Sequence, residues 1–168
     1  MTISDIQPWF FSVEPIEGES ISHFLGRFRR ANELTPTGLG RAAGLGAAIA
    51  RWEQFRFNPP PSQPQLEALA GVVGVGAYRL AQMSPPMGMG MNHKPIRLCG
   101  ACYGEFACHQ IEWQLKVTNR CARHQLRLLS ECPTCGARFV SPALWVEGAC
   151  QRCFMPFVEM LPYQKKAI

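Results

Sequence analysis

Apolar residues at helical spacing up to residue 82, a Met/Pro/Gly stretch at 83–95 and four pairs of Cys or His beyond it predict the fold class. It is mainly α, with small zinc-stabilised α+β modules. The expected order is a helix-turn-helix-like domain over residues 1–82, a linker at 83–95, a first zinc module at 96–130, a second at 131–160 and a tail at 161–168. A chain that is 47% hydrophobic and 17% charged folds rather than staying disordered.

Residues 1–19 read as extended, with Trp9, Phe10, Phe11 and Val13 as an apolar segment packing on the next part of the chain. Ile21, Phe24, Leu25 and Phe28 then occupy one face of a helix, with Ser20 placed to cap it. Thr35-Pro36 opens a second helix, because Pro lacks only an N–H that the first turn leaves unbonded anyway. Glycines at 38, 40, 44 and 46 keep that stretch short and tightly turned. Ala48, Ile49, Trp52 and Phe55 resume a helical stripe, and NPPPSQP at 58–64 breaks it. Pro64 opens the next helix, with Leu66, Leu69 and Ala70 inward, before a Gly-rich turn and a segment carrying Tyr78 and Leu80. Short helices joined by glycine turns suit a helix-turn-helix and a plain bundle equally, since no recognition helix stands out. The methionines of 83–95 read as flexible apolar filler rather than soft-metal ligands.

The second half repeats a spacing: Cys99-x2-Cys102, Cys121-x2-His124, Cys132-x2-Cys135 and Cys150-x2-Cys153. Two intervening residues let the backbone curl so that both side chains reach one tetrahedral ion. In Cys132-Pro-Thr-Cys135-Gly, Pro stiffens the turn and Gly136 can take the positive φ that the curl needs. Eight ligands make two closed sites for structural Zn²⁺, one with three Cys and one His, the other with four Cys. Sequential pairing joins Cys99, Cys102, Cys121 and His124, then Cys132, Cys135, Cys150 and Cys153. It is preferred because loops of 18 and 14 residues suit separate modules; an interleaved cross-brace is the alternative. Ile111, Trp113, Leu115 and Val117 alternate with polar residues and read as a half-buried strand, and Cys121 through Ser130 as a short helix. Knuckle, strand and ligand-bearing helix amount to a treble clef; the second module, two knuckles around FVSPALWV, is ribbon-like.

Closed four-ligand sites leave no position for water or substrate, which argues against metal catalysis. The leftover Cys108-His109 pair is a poor nucleophile and base, since neighbouring residues on a strand point to opposite faces and nothing nearby orients the His. His23 and His93 read as surface or capping residues. There is no Walker loop, two-metal acidic cluster or hydrolase elbow, so an enzyme is not expected.

Residues 1–93 carry seven basic and seven acidic side chains, so the formal +5 lies wholly in residues 94–168, with ten basic and five acidic. Seven thiolates and two divalent ions would lower that charge to +2, so clustering rather than net charge must argue for nucleic-acid binding. Arg120, Arg123 and Arg127 recur at helical spacing beside the first site, as a surface for phosphates or an acidic protein face or as an ordinary solvated stripe; Arg27, Arg29 and Arg30 raise the same question. The opening MTISDIQPWFF lacks the parts of a signal peptide, and AAGLGAAIA at 42–50 is too short to span a bilayer. A cytoplasmic location is expected, where eight cysteines are ligands or free thiols rather than disulfides.

Two stretches resemble the TniQ family: Pro15, Glu19-Ser20, Ser22, Leu25, Arg27 and Asn32, and the run WQLKVTNRCARHQLRLLSECPTCG. The match departs from the family pattern in Cys-Gly-Ala-Cys at 99–102 and in Ala122, neither of which removes a ligand. With no further domain after the second module, the chain looks like the short form carried by type V CRISPR-associated, Tn7-like transposons. The resemblance implies a bacterial, non-catalytic target-selection adaptor. It would link an RNA-guided type V Cas effector at the target to the AAA+ regulator TnsC on DNA, with guide RNA as a further contact. The alternative is a stand-alone zinc-containing DNA-binding transcriptional regulator.

Overall fold

The computed structural model describes residues 10–168. Trp9 of the expected apolar segment lies outside the described residues. Phe10 packs edge-on against Phe28 at 5.9 Å and Val13 is half-buried, but Phe11 is 75% exposed. Only its backbone is anchored, to the Asn32 side chain.

Among the described residues, five helices build the first half: α1 (Ile21–Ala31), α2 (Pro36–Ala43), α3 (Ala48–Glu53), α4 (Gln63–Val73) and α5 (Ala77–Gln82). The Ser20 hydroxyl accepts the His23 N–H at the start of α1, and Thr35 does the same for Gly38 at α2. Ser62 and Gln65 form a reciprocal capping box on α4. The stripes expected from spacing are the core: Ile21, Phe24, Leu25, Phe28, Ile49, Trp52 and Leu69 are fully buried, with Leu80 and Met83 from the far end. Each contributes roughly 1.5–3 kcal/mol by leaving water. Tyr78 stands 80% exposed.

From Met83 the chain runs back along the second half. Met91 bridges to Leu115, and the Asn92 N–H donates to the Gln114 carbonyl. Helix α6 (Gly100–Glu105) comes next, then a 3-10 turn (Ile111–Gln114), the strands β1 (Arg120–Cys121) and β2 (Leu126–Arg127), and 3-10 turns at Pro142–Leu144 and Phe157–Tyr163. β1 and β2 pair antiparallel, Arg120 opposite Arg127 and Cys121 opposite Leu126, and the chain end adds a bridge from Leu126 to Lys166.

Two local expectations are corrected. Residues 111–117 are not a strand. Gln114 is fully buried directly beside buried Trp113, so alternation fails, and its amide donates to the carbonyls of Asn92 and Pro95 and accepts from the Arg97 N–H. That side chain does the bonding a neighbouring strand would have done. Residues 121–130 are not a helix either: the ligand pair sits in the turn of a hairpin, where Gln125 takes φ 53° and its N–H donates to the Cys121 carbonyl. The expected order of the first module is therefore reversed. A helix carries its first ligand pair and a hairpin its second.

The two halves meet along a polar seam. Ser22 and Ser141 both donate to the Glu53 carbonyl, and Ser22 accepts the Ala143 N–H. Gly26 permits the contact, because a Cβ there would collide with the Ala143 carbonyl oxygen. No helix of the described residues is long and apolar enough to cross a membrane.

Candidate metal centres

Cys99 caps α6 and Cys102 lies in its first turn, while β1 and the hairpin turn bring Cys121 and His124 to the same place. Cys99, Cys102 and Cys121 are buried. The Cys102 sulfur lies 3.3 Å from the Cys121 sulfur and 3.3 Å from His124 Nδ1, and Cys121 is 3.4 Å from the same nitrogen. Glu105, one turn beyond Cys102 on α6, holds His124 Nε2 at 2.5 Å. A carboxylate there keeps the proton on Nε2 and turns Nδ1 towards the sulfurs. Arg123 pairs with Glu105 at 2.7 Å and lies over the Phe106 ring at 5.2 Å.

The second cluster is built from two knuckles, each closed by a short bridge, Glu131 with Arg138 and Ala149 with Pro156. Gly136 takes φ 74° and donates its N–H to the Cys132 carbonyl, as the Cys-Pro-Thr-Cys-Gly run predicts. In the other knuckle Phe154 holds the equivalent place at φ 63°, with its N–H on the Cys150 carbonyl. Sulfur separations are 3.5 Å for Cys132–Cys153 and 3.6 Å for Cys135–Cys150.

Within each group of four, all ligand atoms fall within 4.8 Å of one another, and the grouping is the sequential one. Tetrahedral ligation with metal–sulfur bonds of about 2.3 Å sets sulfurs about 3.8 Å apart. The separations here are slightly tighter, so both sets of residues fit an ion of this kind. The crowded thiols split, with Cys99 and Cys150 drawn down and Cys102, Cys121 and Cys153 pushed up. A hydrogen bond from Cys102 draws the Cys99 thiol down to about 5 against the opposing effect of burial, and the same bond pushes Cys102 up. For Cys150, burial is outweighed by the N–H groups of Cys153 and Arg152, and the thiol falls to about 7.

The remaining nominated residues divide cleanly. Arg29 grips Glu53 through Nε at 2.5 Å and a second nitrogen at 3.0 Å, and burial pushes the Glu53 carboxyl up. Arg30 donates to the Ala143 and Trp145 carbonyls. Arg27 pairs at 2.9 Å with both oxygens of Glu19, which is buried. These three guanidinium groups are engaged within the chain, whereas Arg120 and Arg127 point out from the hairpin, exposed.

His23 is corrected from surface to buried; its Nδ1 lies 2.5 Å from Glu19. His93 is exposed. Cys108 is buried, and burial pushes its thiol up to about 12. His109, expected to have nothing orienting it, is held on both sides. Its Nε2 faces the Gln114 oxygen at 3.3 Å and so carries the proton, which leaves Nδ1 to accept from the Ser20 hydroxyl at 2.9 Å. Phe55, Trp113 and Trp145 enclose the ring, and burial holds its pKa well below the usual imidazole value. It is a keystone between the halves, not a base.

The TniQ family model matches residues 10–128. The chain belongs to the TniQ family. No curated protein matches it. Membership ties the chain to transposition. The matched span includes the buried Glu19 ion pairs, the His109 keystone and the whole of the first cluster of this TniQ protein, and it ends before Cys132. Glu105 escaped the sequence reading, because a single acid after a knuckle carries no spacing signal.

Proposed function

We propose that this TniQ protein is a non-catalytic adaptor of target selection in RNA-guided, Tn7-like transposition. In this reading it joins a type V Cas effector with its guide RNA to a TnsC-type AAA+ ATPase on DNA, in the bacterial cytoplasm. The observation that carries the reading is the family match over most of the chain. Cys99, Cys102, Cys121 and His124 would hold one structural Zn²⁺, and Cys132, Cys135, Cys150 and Cys153 a second. Each ion would supply folding energy and crosslink loops that have little regular structure of their own. With four protein ligands apiece, neither offers a position for substrate.

Such an adaptor works by holding partners together, which raises the local concentration of one beside the other without chemistry. Of the arginines nominated from the sequence, Arg120 and Arg127 on the exposed hairpin, with Arg123 beside them, remain available for a phosphate or an acidic partner face. The test is co-precipitation with a cognate TnsC-type ATPase, with and without ATP and DNA. Association on DNA is expected; failure to associate under every condition would refute the adaptor. Specific binding to one duplex sequence by the isolated protein would point instead to a transcriptional regulator.

A further inference from the structure

We infer that a cleft between the two halves binds the phosphate backbone of a single-stranded nucleic acid through Arg56, Lys94 and Arg138. The cleft has a volume of about 470 Å³. Three separate segments wall it: the turn after α3 brings Arg56, the end of the 83–95 stretch brings His93 and Lys94, and the first knuckle of the second cluster brings Arg138. Ile96 and Phe139, both buried to more than nine-tenths, line its floor.

The charge around it is uncompensated among the described residues. Among the described residues, no Asp or Glu lines the cleft. Arg56, Lys94 and Arg138 are exposed, and among the described residues none has an ion pair or a side-chain hydrogen bond, unlike Arg27, Arg29 and Arg123. Glu131 lies opposite Arg138 in the knuckle bridge yet forms no ion pair with it. Cations gathered on a concave surface repel one another, and an anion threaded between them relieves that repulsion.

A second hollow of about 570 Å³ shares Arg56 and His93 with the first and runs on past Phe57 to Met91. Together they form a continuous groove with cations at one end and Phe, Pro and Met surface along its length. That combination suits a single strand, whose phosphates track the charges while its bases lie on apolar side chains. A duplex pairs its bases with each other and has none to offer such a floor. The inference does not depend on a role in transposition.

The experiment is fluorescence anisotropy of the full, metal-loaded chain with labelled oligomers of about 12 nucleotides, as single-stranded DNA, single-stranded RNA and duplex. Single strands should bind more tightly than duplex at about 150 mM salt. The triple variant R56E/K94E/R138E should bind at least about tenfold more weakly, and Lys94→Gln alone should flatten the log–log salt slope by about 0.7. The pair R41E/K165E, at exposed positions that line neither hollow, should leave single-strand binding unchanged. Whether DNA or RNA is preferred identifies the source of the strand. Wild-type protein that binds no single strand, a Lys94→Gln variant with an unchanged slope, or an equal loss in the R41E/K165E pair would each overturn the inference.

Discussion

Glu105 is the residue whose removal should be felt most clearly at the first metal cluster without touching a ligand. Replacing it by Gln leaves a neutral partner 2.5 Å from His124 Nε2 and frees the ring to turn. Metal affinity should fall about 10–100-fold, read by competition with a chelating dye, while His124→Ala should abolish the site. Phe154 offers the opposite case. A left-handed backbone at φ 63° is costly for any side chain, and this one is 70% exposed with little packing to lose. Phe154→Gly should therefore stabilise the chain by about 0.5–1 kcal/mol, a rise of roughly 1–4 °C in melting temperature. Neither residue was nominated from the sequence, because a hydrogen bond and a dihedral angle are properties of the folded chain.

At the scale of elements, the contact between α1 and the Pro142–Leu144 turn holds the halves together. Gly26→Ala drives a methyl group into the Ala143 carbonyl, and both are backbone positions that cannot swing aside. A loss of about 1–3 kcal/mol is expected in thermal melts, with the metal content unchanged. His109 makes the same seam sensitive to acid. Its folded-state pKa is lowered by burial, so below about pH 6.5 the unfolded chain binds a proton that the folded chain excludes. Stability from this residue is complete above that pH and is lost as pH falls towards the folded pKa, by at most about 1.4 kcal/mol per unit. His109→Gln should lack that part of the slope in pH-dependent melts. The helical stripes of α1, α3 and α4 were legible because burial repeats with the period of the helix. The strand at 111–117 and the helix at 121–130 were misread because a buried Gln and a ligand turn imposed their own local geometry.

For the whole molecule, metal is expected to be the controlling variable. The second half has a core lined by ligand cysteines and few regular elements, so chelation should collapse it rather than merely loosen it. About two zinc ions per chain are expected by elemental analysis. Strong chelation should remove the folded near-ultraviolet signal of Trp113 and Trp145, which sit in that core. An unchanged signal would refute a structural role for the clusters. Cys135→Ala should halve the metal content and leave the helical half folded, since its own core of Trp52, Phe24 and Phe28 contains no ligand.

The sequence by itself determined the cap at Ser20, the apolar stripes and the four pairs of candidate ligands, because each depends on residues only a few positions apart. The sequential grouping, which joins residues up to 25 positions apart, was decided by the fold. The tertiary structure alone decided which charges are free. Arg29, Arg30 and Arg27 look the same in sequence as Arg120, Arg127 and Arg138. Three of them close buried bonds to Glu53, main-chain carbonyls and Glu19, while the others face water. Ion pairing and burial depend on partners up to 115 residues away, and no local pattern encodes that distance.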